Sequence, residues 1–501
     1  MELSTTPSKP EITLEEIHSF KGKYPKQLWY LFTVEMWERF CFYGMRGILT
    51  IFMIDQLLVP KQDAILQYAA IQSFVYAFTF VGGIFADKVL GFKKSLIFGA
   101  IMMVLGNALV AIAPDSLFYV GISLVVIGTG FFKPNVSSMV GELYRDGDPR
   151  KVAGFGMFYS GINIGALLGG ILCVYLGKYV SWGLAFGAAS FVMLVGLTIF
   201  SITKRQLGPI GNSPLAGMPK KQRYLRELLT YVVAIIAVPL IYILVQETTY
   251  TDYFMAIIGP AALVYFFIKY FQEKDAAVRS KLLAALIFIL FSVAFFALFE
   301  QAGGALAAFS KDYLDHTLLF FQVDPNAVNN SANAFFVIIF SPLLGLFWVW
   351  LNRKKKEPNT VVKFGIGFIL LALSYIVFYT LLFYINAEGK TSLNVFTGGY
   401  FVMTLAELCI SPIGLSLITS LSPKKLGGMM MGLWFLGSAY GQYFAGMLGT
   451  TVLPVLSEQP SLEELVTYCG GFKTLAIGVF GVAILMFVLI PVMKKLMREV
   501  K

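Results

Sequence analysis

LWYLFTVEMWERFCFYGMRGILTIFMIDQ, Leu28 to Gln56, is long and apolar enough to cross a bilayer, yet it carries Glu35, Glu38, Arg39 and Arg46. On insertion scales each such group costs at least about 2.5–3.5 kcal/mol at the bilayer centre, so it must pair or face a watery cavity. At about 100° per residue, Arg39, Phe42 and Arg46 fall within about 40° of Glu35, with Glu38 about 60° to one side. The span presents one ionic stripe, two carboxylates flanking a guanidinium. A self-neutralised structural salt bridge accounts for it poorly, because an apolar set packs at least as well. The stripe is read as functional.

Thirteen further apolar stretches follow: 65–88, 94–113, 117–142, 152–178, 182–203, 226–246, 252–272, 281–310, 330–352, 361–386, 393–421, 426–453 and 472–496. The 501-residue chain is 57% hydrophobic and 14% charged, against about 45–50% and about 25% in soluble domains. An all-α membrane protein of 14 spans is expected. Too little chain remains between the spans for a soluble enzyme held by a single anchor. Cys41, Cys173, Cys409 and Cys469 are scattered among apolar stretches without metal-ligand spacing, which excludes a disulfide scaffold and reads as reduced packing thiols. The first 27 residues lack an apolar h-region, so no cleavable signal is expected.

The net charge of +10 is explained by topology. With the N-terminus inside and an even span count, 31 lysines and arginines fall on the cytoplasmic side, from Lys9 and Lys21 through Arg353–Lys356 to Arg498 and Lys501. Five (Lys61, Lys178, Lys311, Lys390 and Lys473) fall opposite. This positive-inside bias puts both termini in the cytoplasm and argues against a nucleic-acid partner. The expected organisation is a cytoplasmic tail (1–27), a six-helix bundle (28–203), a linker with two extra spans (204–280), and a second six-helix bundle with a short tail (281–501). A faint echo relates the halves: Glu35 precedes Gly83 and its basic loop by 48 residues, and Glu300 precedes Gly345 and Arg353–Lys356 by 45. Gly161, Gly165 and Gly169 share a helix face, as do Gly428 and Gly432, and Gly437 and Gly441, a pattern for close helix packing.

Three more charges stand inside apolar spans: Lys133 before Pro134 and Asn135, Glu300 before Gln301 and Gly303–Gly304, and Glu407 five residues before Pro412. The first half thus offers Arg46 and Lys133 with no evident counter-charge, and the second offers Glu300 and Glu407. A cavity between them suits a small zwitterion. His18 and His316 lie outside the spans, so intramembrane proton transfer falls to glutamates. No catalytic or metal set is found, and no cofactor is expected.

Several motifs together resemble one family. Glu35-Met-Trp-Glu38-Arg39-Phe40-Cys-Phe42-Tyr43 resembles the ExxERFxYY signature of proton-coupled oligopeptide transporters. Gly128-Thr-Gly-Phe-Phe-Lys133-Pro134-Asn135 and Phe158-Tyr159-Ser-Gly-Ile162-Asn163-Ile-Gly165 are similar to its fourth- and fifth-helix motifs. Glu300-Gln301 and Glu407-Leu-Cys-Ile-Ser-Pro412 match its seventh and tenth helices, and Gly83 to Lys94 resembles the wider major facilitator loop motif. The six-two-six pattern is that of bacterial members. The resemblance implies a major facilitator fold in the cell membrane and uptake of di- and tripeptides with protons by alternating access, as a monomer. It puts Arg46 and Lys133 on the peptide carboxylate, Glu407 on its amino terminus, and Tyr43, Tyr76, Asn163 and Asn333 on its backbone. Glu35, Glu38, Arg39 and Glu300 would couple protons, and Trp434 and Phe299 would line the pocket or gate. Phe42 departs from the signature by lacking a tyrosine hydroxyl, and the second-helix histidine of animal members is missing. Related carriers take nitrate or other solutes, and a non-transporting sensor has the same outline.

Overall fold

Many of the long helices start where the chain supplies an acceptor for the first free N–H groups. Asp275 accepts from Ala277, Asp324 from Asn326 and Ala327, Asn359 from Val362, Ser392 from Val395, and Ser461 from Glu464. The computed structural model describes residues 12–145, 147–453 and 460–497. Lys9, Arg498 and Lys501, and the side chain of Pro412, lie outside the described residues. The helices are α1 (Leu14–His18), α2 (Lys26–Asp55), α3 (Lys61–Phe85), α4 (Phe92–Ile112), α5 (Pro114–Glu142), α6 (Arg150–Tyr179), α7 (Trp182–Thr203), α8 (Lys220–Gln246) and α9 (Thr248–Gln272). They continue as α10 (Ala276–Phe299), α11 (Ala305–Tyr313), α12 (Pro325–Arg353), α13 (Thr360–Thr380), α14 (Leu393–Leu421), α15 (Gly427–Thr451), α16 (Leu462–Val488) and α17 (Ile490–Met497). A two-residue-per-strand hairpin, β1 (Thr317–Leu318) with β2 (Phe321–Gln322), joins α11 to α12.

Twelve helical segments among the described residues are long and apolar enough to cross a membrane. The two remaining long helices, α2 and α15, have the length but not the hydropathy: α2 holds the ionic stripe, and α15 is diluted by seven glycines. Two apolar cores form. One unites α2–α7 with the inner face of α8; the other unites α10–α17 with Phe266 of α9. Of the extra pair, α8 packs on the first bundle, whereas α9 touches both, with Phe254 against Phe74 of α3 and Phe266 in the second core. Salt bridges tie the helix ends: Lys94 of α4 holds Glu227 of α8, and Lys425 holds Glu273 just after α9.

The bundles meet along α3–α15 and α6–α12. Glycines permit closer contact within each bundle. A Cβ on Gly165 would lie 2.1 Å from Met36 O and one on Gly169 2.3 Å from Phe40 O, so α6 rests on the backbone of α2. Gly437 and Gly441 likewise face Ile289 and Phe296 of α10, and Gly432 faces Phe80 across the bundle seam. Gly428 meets nothing within 4 Å, so its expected pairing with Gly432 is not used.

Most spans differ from the sequence reading by a few residues, and two differ in ways that matter to the architecture. The last span runs from Leu462 to Val488 rather than 472–496. Ser461 and Glu464 carry the capping pattern that marks this start, and it was masked by the acidic first turn. Lys473, assigned to an outward loop, lies three turns inside α16 with Nζ 5.7 Å from the Tyr379 ring centre. The stretch 281–310 begins earlier, at Ala276, and is broken: α10 stops at Phe299, a tight turn covers Glu300–Gly303, and α11 begins at Ala305. On the side read as outward, Lys61 pairs with Asp312 at 2.9 Å, Lys178 with Asp324 at 2.5 Å, and Lys311 with Asp55. These three ion pairs join the bundles on that side.

Candidate functional site

The break after α10 builds the centre of the molecule. Interrupting a helix frees carbonyls that cost several kcal/mol each if left bare in a membrane. Here side chains from three other helices satisfy them: Tyr375 of α13 donates to Leu298 O, Asn329 of α12 to Ala302 O at 2.7 Å, and Thr50 of α2 to Gly303 O. Gln301, itself buried, donates to Ala445 O of α15 at 2.9 Å. Gly303 itself is pressed against Tyr68, where a Cβ would lie 1.9 Å from the phenol oxygen. The turn is thereby fixed with Glu300 facing the first bundle.

Arg46 meets it there. Its Nη2 pairs with Glu300 Oε2, and its Nε donates to Tyr68 OH at 2.6 Å. The side chains are 12% and 7% exposed, so the pair is held in low dielectric where removing one partner is far costlier than the pair itself is favourable. Arg46, read from sequence as lacking a counter-charge, is in this conformation bound to the opposite bundle. Tyr43 flanks it, with the guanidinium carbon 5.7 Å from its ring centre.

About two turns earlier on α2, Arg39 Nε lies 2.9 Å from Glu35 Oε1 and 2.6 Å from Glu38 Oε2, all three residues at most 3% exposed. The contacts are ionic rather than aligned hydrogen bonds: Arg39 Nε and Glu38 Oε2, though close, have no hydrogen-bond partner among the described residues. The Phe42 ring sits 5.7 Å from the Arg39 guanidinium, an aromatic face where the family signature has a hydroxyl. Lys133 of α5 lies 4.3 Å over the Tyr76 ring and 6.0 Å from Phe42. Among the described residues no carboxylate lies within ion-pair reach of its Nζ.

On the second bundle, Asn333 donates to Glu407 Oε2 at 2.8 Å and to Thr404 Oγ1 at 3.2 Å. Asn163 donates to Tyr159 O one turn back at 2.9 Å. Phe299 stacks on Phe295 at 5.4 Å, and Trp434 packs on Gly414, 8% exposed. Three clusters result: Arg46–Glu300–Tyr68, Glu35–Arg39–Glu38 and Asn333–Glu407. Sequence reading passes over Tyr68, Thr50, Asn329 and Tyr400, the last donating to Asn329 Oδ1 at 2.6 Å. Asn329–Asn330 at the head of an apolar span was the available signal; Tyr68 and Thr50 carry none.

Two helical bundles joined through a buried ionic centre define a two-bundle membrane carrier. The chain belongs to the POT family, whose model (PTR2) matches residues 93–495. It is 33% identical over 489 residues to an uncharacterised transporter, YclF, of Bacillus subtilis, covering 95% of this chain and 96% of that one. It is 31% identical to the peptide transporter YePEPT of Yersinia enterocolitica, covering 85% and 88%. A crystal structure of the peptide transporter POT in complex with sulfate superposes with a TM-score of 0.83 at 29% identity, covering 97% of this chain and 100% of that one. The fold is thus of the major facilitator type, and the chain is a multi-pass carrier of the cell membrane, not an enzyme.

Proposed function

We propose that the chain takes up di- and tripeptides together with protons by alternating access, with fourteen crossings and both termini in the cytoplasm. The observation that carries this reading is the Arg46–Glu300 pair, a charge contact between the two bundles at the base of a broken helix. Protonating Glu300 removes one charge of that contact, frees Arg46 to meet a peptide carboxylate, and loosens one bundle from the other. The Glu35–Arg39–Glu38 group carries one net negative charge when ionised, so a single proton neutralises it. Arg46 and Lys133 then serve the carboxylate, and Glu407, oriented by Asn333, the amino terminus. Tyr43, Tyr76 and Asn163 serve the peptide backbone, and Trp434 and Phe299 the pocket wall. No cofactor is needed, and the unit is the monomer.

Relatives named as dipeptide and tripeptide permeases, such as that of Proteus mirabilis at 29% identity over 99% of this chain, support the cargo. A family structure in complex with 5-aminolevulinic acid, at 26% identity and a TM-score of 0.83, favours a second reading in which smaller amino acids share the site. Liposomes loaded with purified protein and given an inward pH gradient test both. Labelled dialanine should accumulate and lose that accumulation with a protonophore. A channel only equilibrates it, and a sensor moves none. Excess 5-aminolevulinate that abolishes uptake, and is itself accumulated, selects the second reading.

Replacing Arg46 with Met should raise the KM for dialanine about 10- to 100-fold, the worth of a charged hydrogen bond, and raise it far less for the amidated peptide. Equal losses would remove the carboxylate role. In Glu407→Gln the complementary pattern is expected, a loss for peptides with a free amino terminus and little change for N-acetylated ones competing for the site.

A further inference from the structure

We infer that the cytoplasmic end of α12 is a binding site for an anionic phospholipid, with the phosphate on Arg353–Lys356 and an acyl chain in the groove beside it. From Ile339 to Arg353 no residue of α12 is buried, although the segment is rich in Leu, Phe, Val and Trp. The helix departs from its bundle here and leaves a cavity of about 310 Å³ against α13 and α14. Leu344, Phe347, Leu351, Leu370, Leu405 and Cys409 line it, a wall that offers packing to hydrocarbon and nothing to a polar solute.

The mouth of this groove is built differently. α12 ends in a turn in which Lys356 N–H bonds to Leu351 O at 2.9 Å and Lys355 N–H to Asn352 O at 2.8 Å. Lys355 holds φ 55°, a left-handed conformation that glycine adopts without steric cost and that lysine occupies here. The turn displays four successive cations, all exposed. Among the described residues none of the four forms an ion pair with a carboxylate. The neighbouring Glu357 is taken by Lys363 and Asn352. Trp350, with Lys354 Nζ 4.0 Å over its ring, and Trp348 mark the headgroup level.

A polybasic run directly cytoplasmic of a span attracts anionic headgroups. The charge selects an anionic lipid over a zwitterionic one, and the groove selects a lipid over free phosphate. The site is remote from the Arg46–Glu300 centre in chain and chemistry, so it stands whatever the carrier transports.

The test uses the full-length protein in mild detergent with phosphatidylglycerol and phosphatidylcholine as probes. Native mass spectrometry should show phosphatidylglycerol adducts retained at least about tenfold over phosphatidylcholine. Brominated phosphatidylglycerol should quench tryptophan fluorescence, and W348F should lose much of that quenching. R353Q/K354Q/K355Q/K356Q should abolish the preference, and L344W, which fills the groove from its open side, should reduce retention with the cations intact. Thermal melts of each variant establish that it is folded; should the quadruple variant unfold, loss of the preference of the wild-type protein at high salt decides instead. Equal retention of the two lipids overturns the proposal, as does unchanged retention in both variants. Displacement of the lipid by millimolar inorganic phosphate overturns it too, because the groove then contributes nothing.

Discussion

Glu300→Gln is expected to abolish gradient-driven accumulation of dialanine while leaving peptide exchange across the membrane. For each proton moved, a gradient of one pH unit supplies about 1.4 kcal/mol, enough for tenfold accumulation. The variant should bring peptide only to equal concentration on both sides. The reason lies in the contact itself: Glu300 Oε2 pairs with Arg46 Nη2, 254 residues away and on the other bundle. Glutamine keeps the shape and the oxygen but is fixed in the uncharged condition that a proton would otherwise create and remove. The bundles still rock with peptide aboard, so counterflow of labelled against unlabelled dialanine persists. A variant that accumulates like the wild type excludes Glu300 from coupling, and one that has lost counterflow assigns it to binding instead.

The second large effect is expected from a single methyl group. Gly303→Ala places a Cβ 1.9 Å from Tyr68 OH and 2.0 Å from its Cζ, so the ring must move. Overpacking of this kind costs about 1–3 kcal/mol. Displacing Tyr68 also strips Arg46 Nε of its acceptor, at about 1–3 kcal/mol for a buried polar group left unpaired. Uptake should fall tenfold or more, with a lowered melting temperature. Gly304→Ala is the control, since its Cβ would meet Ile65 Cγ2 at 3.3 Å, a side chain able to give way, and Tyr68 Cδ1 only at an ordinary contact distance of 3.9 Å. Comparable losses in the two variants would show that the glycine pair acts through backbone freedom rather than through Tyr68.

Much of this molecule was legible from residue order. The ionic stripe on α2 is a matter of helical periodicity, and Arg39 does contact both Glu35, one turn before it, and the adjacent Glu38. The lone charges at positions 133, 300 and 407 stood out because each interrupts an apolar run. The end of α16 was misjudged because hydropathy averages over a window and a capped acidic turn lowers that average, although Ser461 and Glu464 spelled out the cap.

Sequence alone determined most of the helices, the charge bias between their ends and the presence of charge inside the membrane spans, because periodicity and transfer free energy are sums over neighbours in the chain. Tertiary structure alone decided that Arg46 belongs to Glu300, that Asn333 orients Glu407, and that Tyr375, Asn329 and Thr50 hold open the break after α10. Those choices depend on how two bundles are placed against each other, and a freed carbonyl or buried charge is satisfied by whichever group arrives within about 3 Å of it.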